Sequence, residues 1–302
     1  MEVQKFKDPF VTAKGETRAS VWLNELETLW FNTGTRCNLS CENCYIESNP
    51  KNDRLSFITR EDVVPYLEEI KTNNWSTHEI GLTGGEPFLN PHIVNVLEAC
   101  LENGFRTLLL TNAFRIKKYK EDILRLNQEF GDKFVVRVSL DHYTKEVHEE
   151  ERGKETFDPT MENVKWLFEN KINLAIAGRS LTTEDPEIVK KGYQEMLSSY
   201  GISLDPENLV VFAEMDPKGD TPEITTACWD ILNKSPDDIM CSSSRMVVKR
   251  KGEEKPKVLA CTLLAYDPQF EMGQTLTESK KEVQLNHRFC SQFCVLGGSS
   301  CS

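Results

Sequence analysis

No stretch of this 302-residue sequence is apolar over the length a membrane span requires, and its start, MEVQKFKDPF, has no apolar run of signal-peptide length. These absences argue against a membrane-spanning or exported protein, and the chain is expected in the cytoplasm. Positive charge is in deficit too. Against 48 acidic side chains there are 36 basic ones, and the net charge of −12 opposes attraction to nucleic acid or anionic lipid, so neither nucleic acid nor membrane is expected as a partner. One basic run, Arg245, Lys249, Arg250, Lys251, Lys255 and Lys257, interleaves with Glu253 and Glu254 around Gly252 and reads as a solvated hairpin. Internal repeats and low-complexity tracts are also missing. With no export signal, the ten cysteines are not expected to form disulfides, because a reducing compartment keeps thiols free. Metal or iron–sulfur ligation becomes the leading account of them.

What is present points to an α/β protein. Hydrophobic side chains at 39% over 302 residues supply apolar mass for one large barrel with a small appendage. Short apolar runs bounded by turn residues predict buried parallel strands at Leu29–Asn32, Glu79–Thr83, Arg106–Thr111, Phe134–Leu140, Ile172–Ala177 and Leu209–Ala213. Amphipathic stretches predict helices between them, starting near Thr59, Pro91, Lys117, Asp158 and Asp185. Thr59 with Asp62 resembles a capping box, Pro91 suits a first helical turn, and Gly104 and Gly201 suit helix ends. Polar and glycine residues gather where these strands end: three cysteines after the first, Gly84-Gly85-Glu86-Pro87 after the second, Asn112, Ser139 with Asp141, Arg179, and Glu214. Barrel-like folds place their active sites at that end of the sheet. Residues 1–25 form an N-terminal extension, 26–227 the barrel, and 228–302 a small cysteine-rich unit too short to fold on its own core.

The segment RCNLSCENCY places Cys37, Cys41 and Cys44 on one loop. Iron–sulfur clusters normally take four cysteines, so three would leave one iron open to a ligand. A tetrahedral zinc borrowing His78 or His92 is the alternative. Cys100 reads as a small core residue. Cys228, at the unit boundary, reads as core or as a thiol near a reactive group. His287, three residues before Cys290, reads as a ligand, an acid–base group or a satisfied histidine.

CxxxCxxC followed by the aromatic Tyr45, with GGEP at 84–87 after the next strand, resembles the radical S-adenosylmethionine (SAM) superfamily. The resemblance covers about residues 26 to 302. It implies a partial (β/α)6 TIM-like barrel whose open iron chelates SAM, and a one-electron cleavage giving methionine and a 5′-deoxyadenosyl radical that takes hydrogen from a substrate. It further implies that Gly84 and Gly85 receive the methionine end, with Glu86 fixing that loop, that Ser139 and Asp141 bind ribose, and that Asn112 lies beside the same ligand. Arg152, or alternatively Arg179, would pair with the SAM carboxylate. Tyr45 would contact adenine or simply pack.

The C-terminal cysteines Cys241, Cys261, Cys290, Cys294 and Cys301 resemble the twitch and SPASM modules of one subgroup, which implies an auxiliary [4Fe–4S] cluster. Cys241, Cys261, Cys290 and Cys294 are its expected ligands, with Cys301 a substitute or spare, and structural zinc is the rival. The expected substrate is a small molecule or a peptide, and the expected electron donor is a flavodoxin or ferredoxin. Because only about 25 residues precede the barrel, too few for a leader-binding domain, a small molecule or short peptide is favoured. The alternative is a non-catalytic iron–sulfur protein for electron transfer or scaffolding.

Overall fold

The apolar runs become strands because each is closed by residues that stop β pairing, and five of the six end within a residue of the expected limits. The fifth runs longer, over Asn173–Ser180. The structure is a computed structural model and describes residues 4–181, 183–215 and 219–298. Strand β1 (Ser20–Val21) precedes a β/α alternation: β2 (Thr28–Asn32), α1 (Arg60–Thr72), β3 (Glu79–Thr83), α2 (Ile93–Glu102), β4 (Arg106–Thr111), α3 (Lys120–Phe130), β5 (Phe134–Ser139), α4 (Lys145–Arg152), α5 (Phe157–Glu169), β6 (Asn173–Ser180), α6 (Pro186–Ser199) and β7 (Leu209–Ala213). Strands β2 to β7 are all parallel, each paired with the next, which makes the partial (β/α)6 barrel.

Alternation along each strand sorts its side chains onto two faces. Leu29, Phe31, Ile80, Leu82, Val136 and Val138 pack outward with the helices, while Trp30, Leu108, Val135 and Ala175 pack in a second cluster on the inner face. Each fully buried Leu, Ile or Phe contributes roughly 1.5–3 kcal/mol by leaving water. The Asp62 carboxylate accepts from the Thr59 N–H at 3.0 Å, and Asp185 caps α6 by accepting from Glu187 N–H at 2.8 Å. Gly104 and Gly201 end their helices at φ +91° and +75°, a conformation that favours glycine. Pro91 is displaced from its expected role, because α2 starts only at Ile93 after a turn in which Asn90 Oδ1 accepts from His92 N–H at 2.9 Å. Helix α4 was not among the expected helices; its residues, KEVHEEER, are mostly charged and hide the pattern that would reveal it.

The C-terminal stretch adds α7 (Cys228–Leu232), β8 (Ser244–Val248), β9 (Lys257–Leu259), β10 (Glu271–Gly273) and β11 (Val283–Gln284). The β8–β9 hairpin, turning near Gly252 at φ +85°, continues the barrel sheet, since β8 pairs in parallel with β2. The basic run is thus a hairpin, but Arg245 is not solvated. It is 1% exposed and donates to the carbonyls of Cys241 at 2.6 Å, Ser244 at 2.8 Å and Ser279 at 3.2 Å. Residues near the start pack across this end: β1 pairs antiparallel with β11, and Arg18 is buried on Glu223 at 2.5 Å. No helix among the described residues is long and apolar enough to cross a membrane.

Candidate functional site

The strand ends open into one cavity of about 230 Å³. Its wall holds Cys37, Cys41 and Cys44 together with Tyr45, Gly84, Gly85, Asn112, Ser139, Asp141, Arg152 and Arg179. Every predicted residue for the N-terminal site lines it except Glu86. His78 sits at the far end of β3, next to Glu79, and neither it nor His92 lines the cavity, so neither is a fourth ligand for a zinc ion. No three His, Cys, Asp or Glu side chains among the described residues are gathered as ligands to a single ion. Thiols spread around a cavity are what the corners of a cubane need, and backbone N–H groups already serve the sulfurs: Leu39 donates to Cys37 at 3.4 Å and Ser48 to Cys44 at 3.3 Å. Such N–H to sulfur bonds tune iron–sulfur clusters. The donor set and its surroundings therefore fit the cluster. Burial pushes the Cys37 thiol up to about 12 and the Cys41 thiol up to about 11, so ligation must displace protons held tightly by the apolar surroundings.

The two glycines of GGEP serve the cysteine loop first. A Cβ on Gly85 would stand 2.2 Å from the Arg36 carbonyl oxygen, and one on Gly84, at φ +142°, would stand 2.6 Å from that of Gly34. The loop is drawn in by Gly85 N–H on Gly34 O at 2.9 Å and Glu86 N–H on Arg36 O at 3.0 Å. Glu86 departs from the expected contact set. It is 1% exposed behind the wall, where its carboxylate accepts from Asn112 N–H and the Thr111 hydroxyl, both at 2.8 Å, and from Phe88 N–H at 3.0 Å. It ties the ends of β3 and β4 together, the loop-fixing part of its expected role. Asn112 completes the link to the cysteine loop by donating to Asn38 Oδ1 at 3.2 Å.

On the opposite wall, Asp141 is engaged by an arginine rather than standing open. Arg152 donates to both its oxygens, at 2.8 and 3.2 Å, and Arg179 lies 3.8 Å away. Burial raises the Asp141 carboxyl, but Arg152 and Arg179 outweigh burial and hold it below the usual carboxylate range. Arg179 also faces Glu151 at 3.4 Å and lies 5.6 Å from the centre of the Tyr45 ring. Glu151 escaped the sequence reading. It clamps the cysteine loop by accepting from Asn43 N–H at 2.9 Å and Asn43 Nδ2 at 2.8 Å, and only the folding of α4 brings it there. Tyr45 packs edge-on against Phe289 and Phe293, at 6.1 and 6.3 Å between ring centres, at the boundary with the C-terminal region.

Beneath this network His148 is fully buried with neither ring nitrogen bonded. Burial, with the charge of Arg152 adding to it, depresses its pKa to about 4. The folded form is neutral, whereas the unfolded chain takes up the proton near 6.5. Stability tied to this group is present above pH 6.5 and is lost as pH falls toward 4, by up to about 3 kcal/mol. Urea unfolding at pH 7 and pH 4.5 should show a smaller acid loss for His148→Leu than for wild type; equal losses would refute this account.

A second, smaller cavity is lined by Cys241, Cys261, Cys290 and Cys294 with apolar neighbours that include Leu263, Phe270 and Leu285. Leu263 N–H donates to Cys261 Sγ at 3.3 Å, as Leu39 N–H does to Cys37. Cys290 and Cys294 lie in one helical segment, Cys290–Leu296. Cys301 lies outside the described residues. Cys100 is 0% exposed in α2, a core residue as expected, and Cys228 Sγ accepts from Thr225 N–H at 3.3 Å. His287 faces Phe289, with 4.7 Å between ring centres, and its Nδ1 accepts from Phe289 N–H at 3.1 Å.

Comparison with known proteins agrees with this geometry. A model of the Radical SAM superfamily matches residues 31–191. The antilisterial bacteriocin subtilosin biosynthesis protein AlbA of Bacillus subtilis is 32% identical over 143 residues, covering 47% of this chain and 30% of its own. A probable GTP 3′,8-cyclase of Saccharolobus islandicus is 27% identical over 132 residues, covering 43% and 39%. The chain thus spans well under half the length of these curated relatives. The crystal structure of Streptococcus suis SuiB bound to precursor peptide SuiA superposes with a TM-score of 0.59 at 15% identity, covering 86% of this chain and 66% of that one, which speaks to the fold. With that family matched over more than half of its length and the three thiols set in the wall of its strand-end cavity, this chain belongs to the radical SAM superfamily, enzymes that work with a [4Fe–4S] cluster and SAM.

Proposed function

We propose that Cys37, Cys41 and Cys44 hold the site-open cluster, that the strand-end cavity seats SAM, and that the enzyme takes hydrogen from a peptide with the help of an auxiliary [4Fe–4S] cluster. The observation that carries the reading is a single cavity containing all three thiols and eight of the nine residues expected around SAM. When bound, the cluster supplies the electron that splits the sulfonium bond of SAM and so yields the 5′-deoxyadenosyl radical. Gly84, Gly85 and Asn112 shape the wall at the methionine end, with Glu86 bracing it from behind. Ser139 and Asp141 face the ribose. Arg152, held rigid by Asp141, offers its guanidinium edge to the SAM carboxylate, with Arg179 as second cation. Tyr45 borders the adenine side. Residues 228–302 form the auxiliary unit, with Cys241, Cys261, Cys290 and Cys294 as ligands, and a flavodoxin or ferredoxin supplies the electron.

Similarity to a bacteriocin biosynthesis protein at 32% identity supports the peptide reading. The 27% identity to GTP 3′,8-cyclases favours a small molecule as the second reading. Family membership makes the chain an enzyme and removes the electron-carrier alternative. Iron counting tests the cluster assignment. Anaerobically reconstituted wild type should hold about eight iron atoms, two [4Fe–4S] clusters, and the Cys37→Ala/Cys41→Ala/Cys44→Ala variant about four. Four atoms in wild type and none in the variant would remove the auxiliary cluster, and zinc without iron would overturn both assignments.

A further inference from the structure

One end of the barrel sheet is left open. In the nine-stranded order the two outermost strands are β10 and β7. The first is guarded against further pairing by a register shift between Glu271 and Gly273, by the charge of Glu271, which holds Lys257 at 2.9 Å, and by a glycine at φ +128°. The second has none of these. Its residues, LVVFA, include no charge, proline or glycine, and all five are exposed or half-buried, whereas β2 is buried throughout. A bare apolar edge is a template for another strand, and native proteins blunt such edges unless pairing there has a use.

The unpaired groups can be named. Strand β7 lies parallel to β6 with Ala213 opposite Ser180, and Glu214 N–H donates to Ser180 O at 2.9 Å. Successive strand residues turn their N–H and C=O to alternate sides, so Val210 and Phe212 also bond toward β6, and Leu209, Val211 and Ala213 face away from it. Leu209 N–H is taken by Pro206 O, but the backbone groups of Val211 and Ala213 have no partner among the described residues. They make two N–H donors and two C=O acceptors in one row. Between them Phe212 turns its side chain to the opposite face, where it lines the strand-end cavity with Arg179 of β6. The open edge is thus one lip of the cavity.

We infer that the substrate docks on this edge: an extended peptide segment adds to the sheet beside β7, hydrogen-bonded to Val211 and Ala213, and the peptide residue opposite Phe212 turns its side chain into the cavity. The inference rests on the peptide reading of the substrate and names how such a peptide binds. A peptide backbone matches the row at every position, since it offers N–H and C=O at the spacing of a strand. Because paired residues share a face, the neighbours on either side of the presented residue point away from the cavity, with Val211 and Ala213. One side chain in every two is therefore turned toward the SAM site. Affinity comes from the main chain, and selection among side chains falls to the pocket. A second copy of the chain has the same edge to offer, but two barrels joined there would close this lip of both cavities.

The test uses reconstituted holoenzyme with SAM bound and two pools of capped heptapeptides of the same randomised composition, one unmodified and one N-methylated at its three central amides. The methylated chains keep their side chains but cannot complete a strand ladder on either edge. Wild type should retain the unmodified pool at least about tenfold better than the methylated one, and Ala213→Pro should cut that retention at least about fivefold, whereas Ala213→Val keeps it. Proline there removes an outward N–H and no bond to β6, so the barrel ladder is untouched. On wild type alone, hydrogen exchange at the Val211 and Ala213 amides should slow at least about tenfold when the unmodified pool is added. Retention of neither pool by wild type would sink the peptide reading and the edge with it. Equal retention of the two pools, retention that Ala213→Pro leaves unchanged, or unaltered exchange at both amides would overturn the edge alone. Exchange already slow without peptide, in a dimer detected by sedimentation, would give the edge to a second copy and overturn the assignment.

Discussion

Cys41→Ala should reduce 5′-deoxyadenosine formation from SAM to background while leaving the fold intact. Cys41 sits on a loop and is only partly buried, so losing its sulfur removes little packing, and the cost in stability should stay within about 0.5 kcal/mol. Its loss to the cluster is another matter, because three ligands are the fewest that hold a cubane with one iron open. Cys100→Ala is the control. That thiol lies in the core of α2, so its loss should cost stability, about 1 kcal/mol for a small buried group, with iron content and SAM cleavage retained. Product formation measured by chromatography, with iron counted on the same samples, decides the matter. Background activity in wild type despite a full cluster and bound SAM would point to a substrate trigger, whereas activity in Cys41→Ala would sink the assignment.

Arg152→Gln is expected to be the most damaging single change outside the cysteines. It strips Asp141 of its 2.8 and 3.2 Å partners in a site where both side chains are 11% exposed. Removing one member of a buried pair leaves an uncompensated charge, which costs roughly 3–5 kcal/mol. Arg179 at 3.8 Å offsets part of this, so the lower end is expected. The double variant Asp141→Asn/Arg152→Gln should recover much of the stability, since neither charge then remains unpaired, yet it should not recover SAM affinity if the guanidinium binds the carboxylate. Recovery of both would make Arg152 a structural residue only. The sign of the pH effect follows from the depressed Asp141 carboxyl. Its contribution is present above the unfolded carboxylate range and is lost as pH falls through the lower folded value, and Asp141→Asn should flatten that acid limb.

Much of this protein was legible before folding was considered, and the reason is local. Strand identity depends on runs of apolar residues between turn formers, so β3 and β4 fall on their expected limits. The spacing of Cys37, Cys41 and Cys44 and the GGEP turn are short-range patterns, and their chemistry is written in neighbouring residues. Even the β–α alternation is enough to put Asn112, Ser139, Asp141 and Arg179 at one end of the sheet, since parallel strands all end on the same side. The cysteine-rich end could likewise be read as a separate set of thiols.

What the sequence could not supply is everything that depends on contacts between distant segments. Arg245 belongs to a basic run and looks solvated, but β8 inserts beside β2 and buries it under backbone carbonyls. Glu86 reads as a residue that fixes its own loop, but that it also ties β3 to β4 emerges only when the ends of those strands close around it, and Glu151 reads as one of many acidic residues in a charged helix until α4 docks on the cysteine loop. Asp141 and Arg152, eleven residues apart, become partners only because α4 folds back over the end of β5. The buried donors Trp30 Nε1 and Asn32 Nδ2 are the extreme case, for they are left without partners only because the barrel closes over the inner face of β2, and that burial is encoded in no linear pattern.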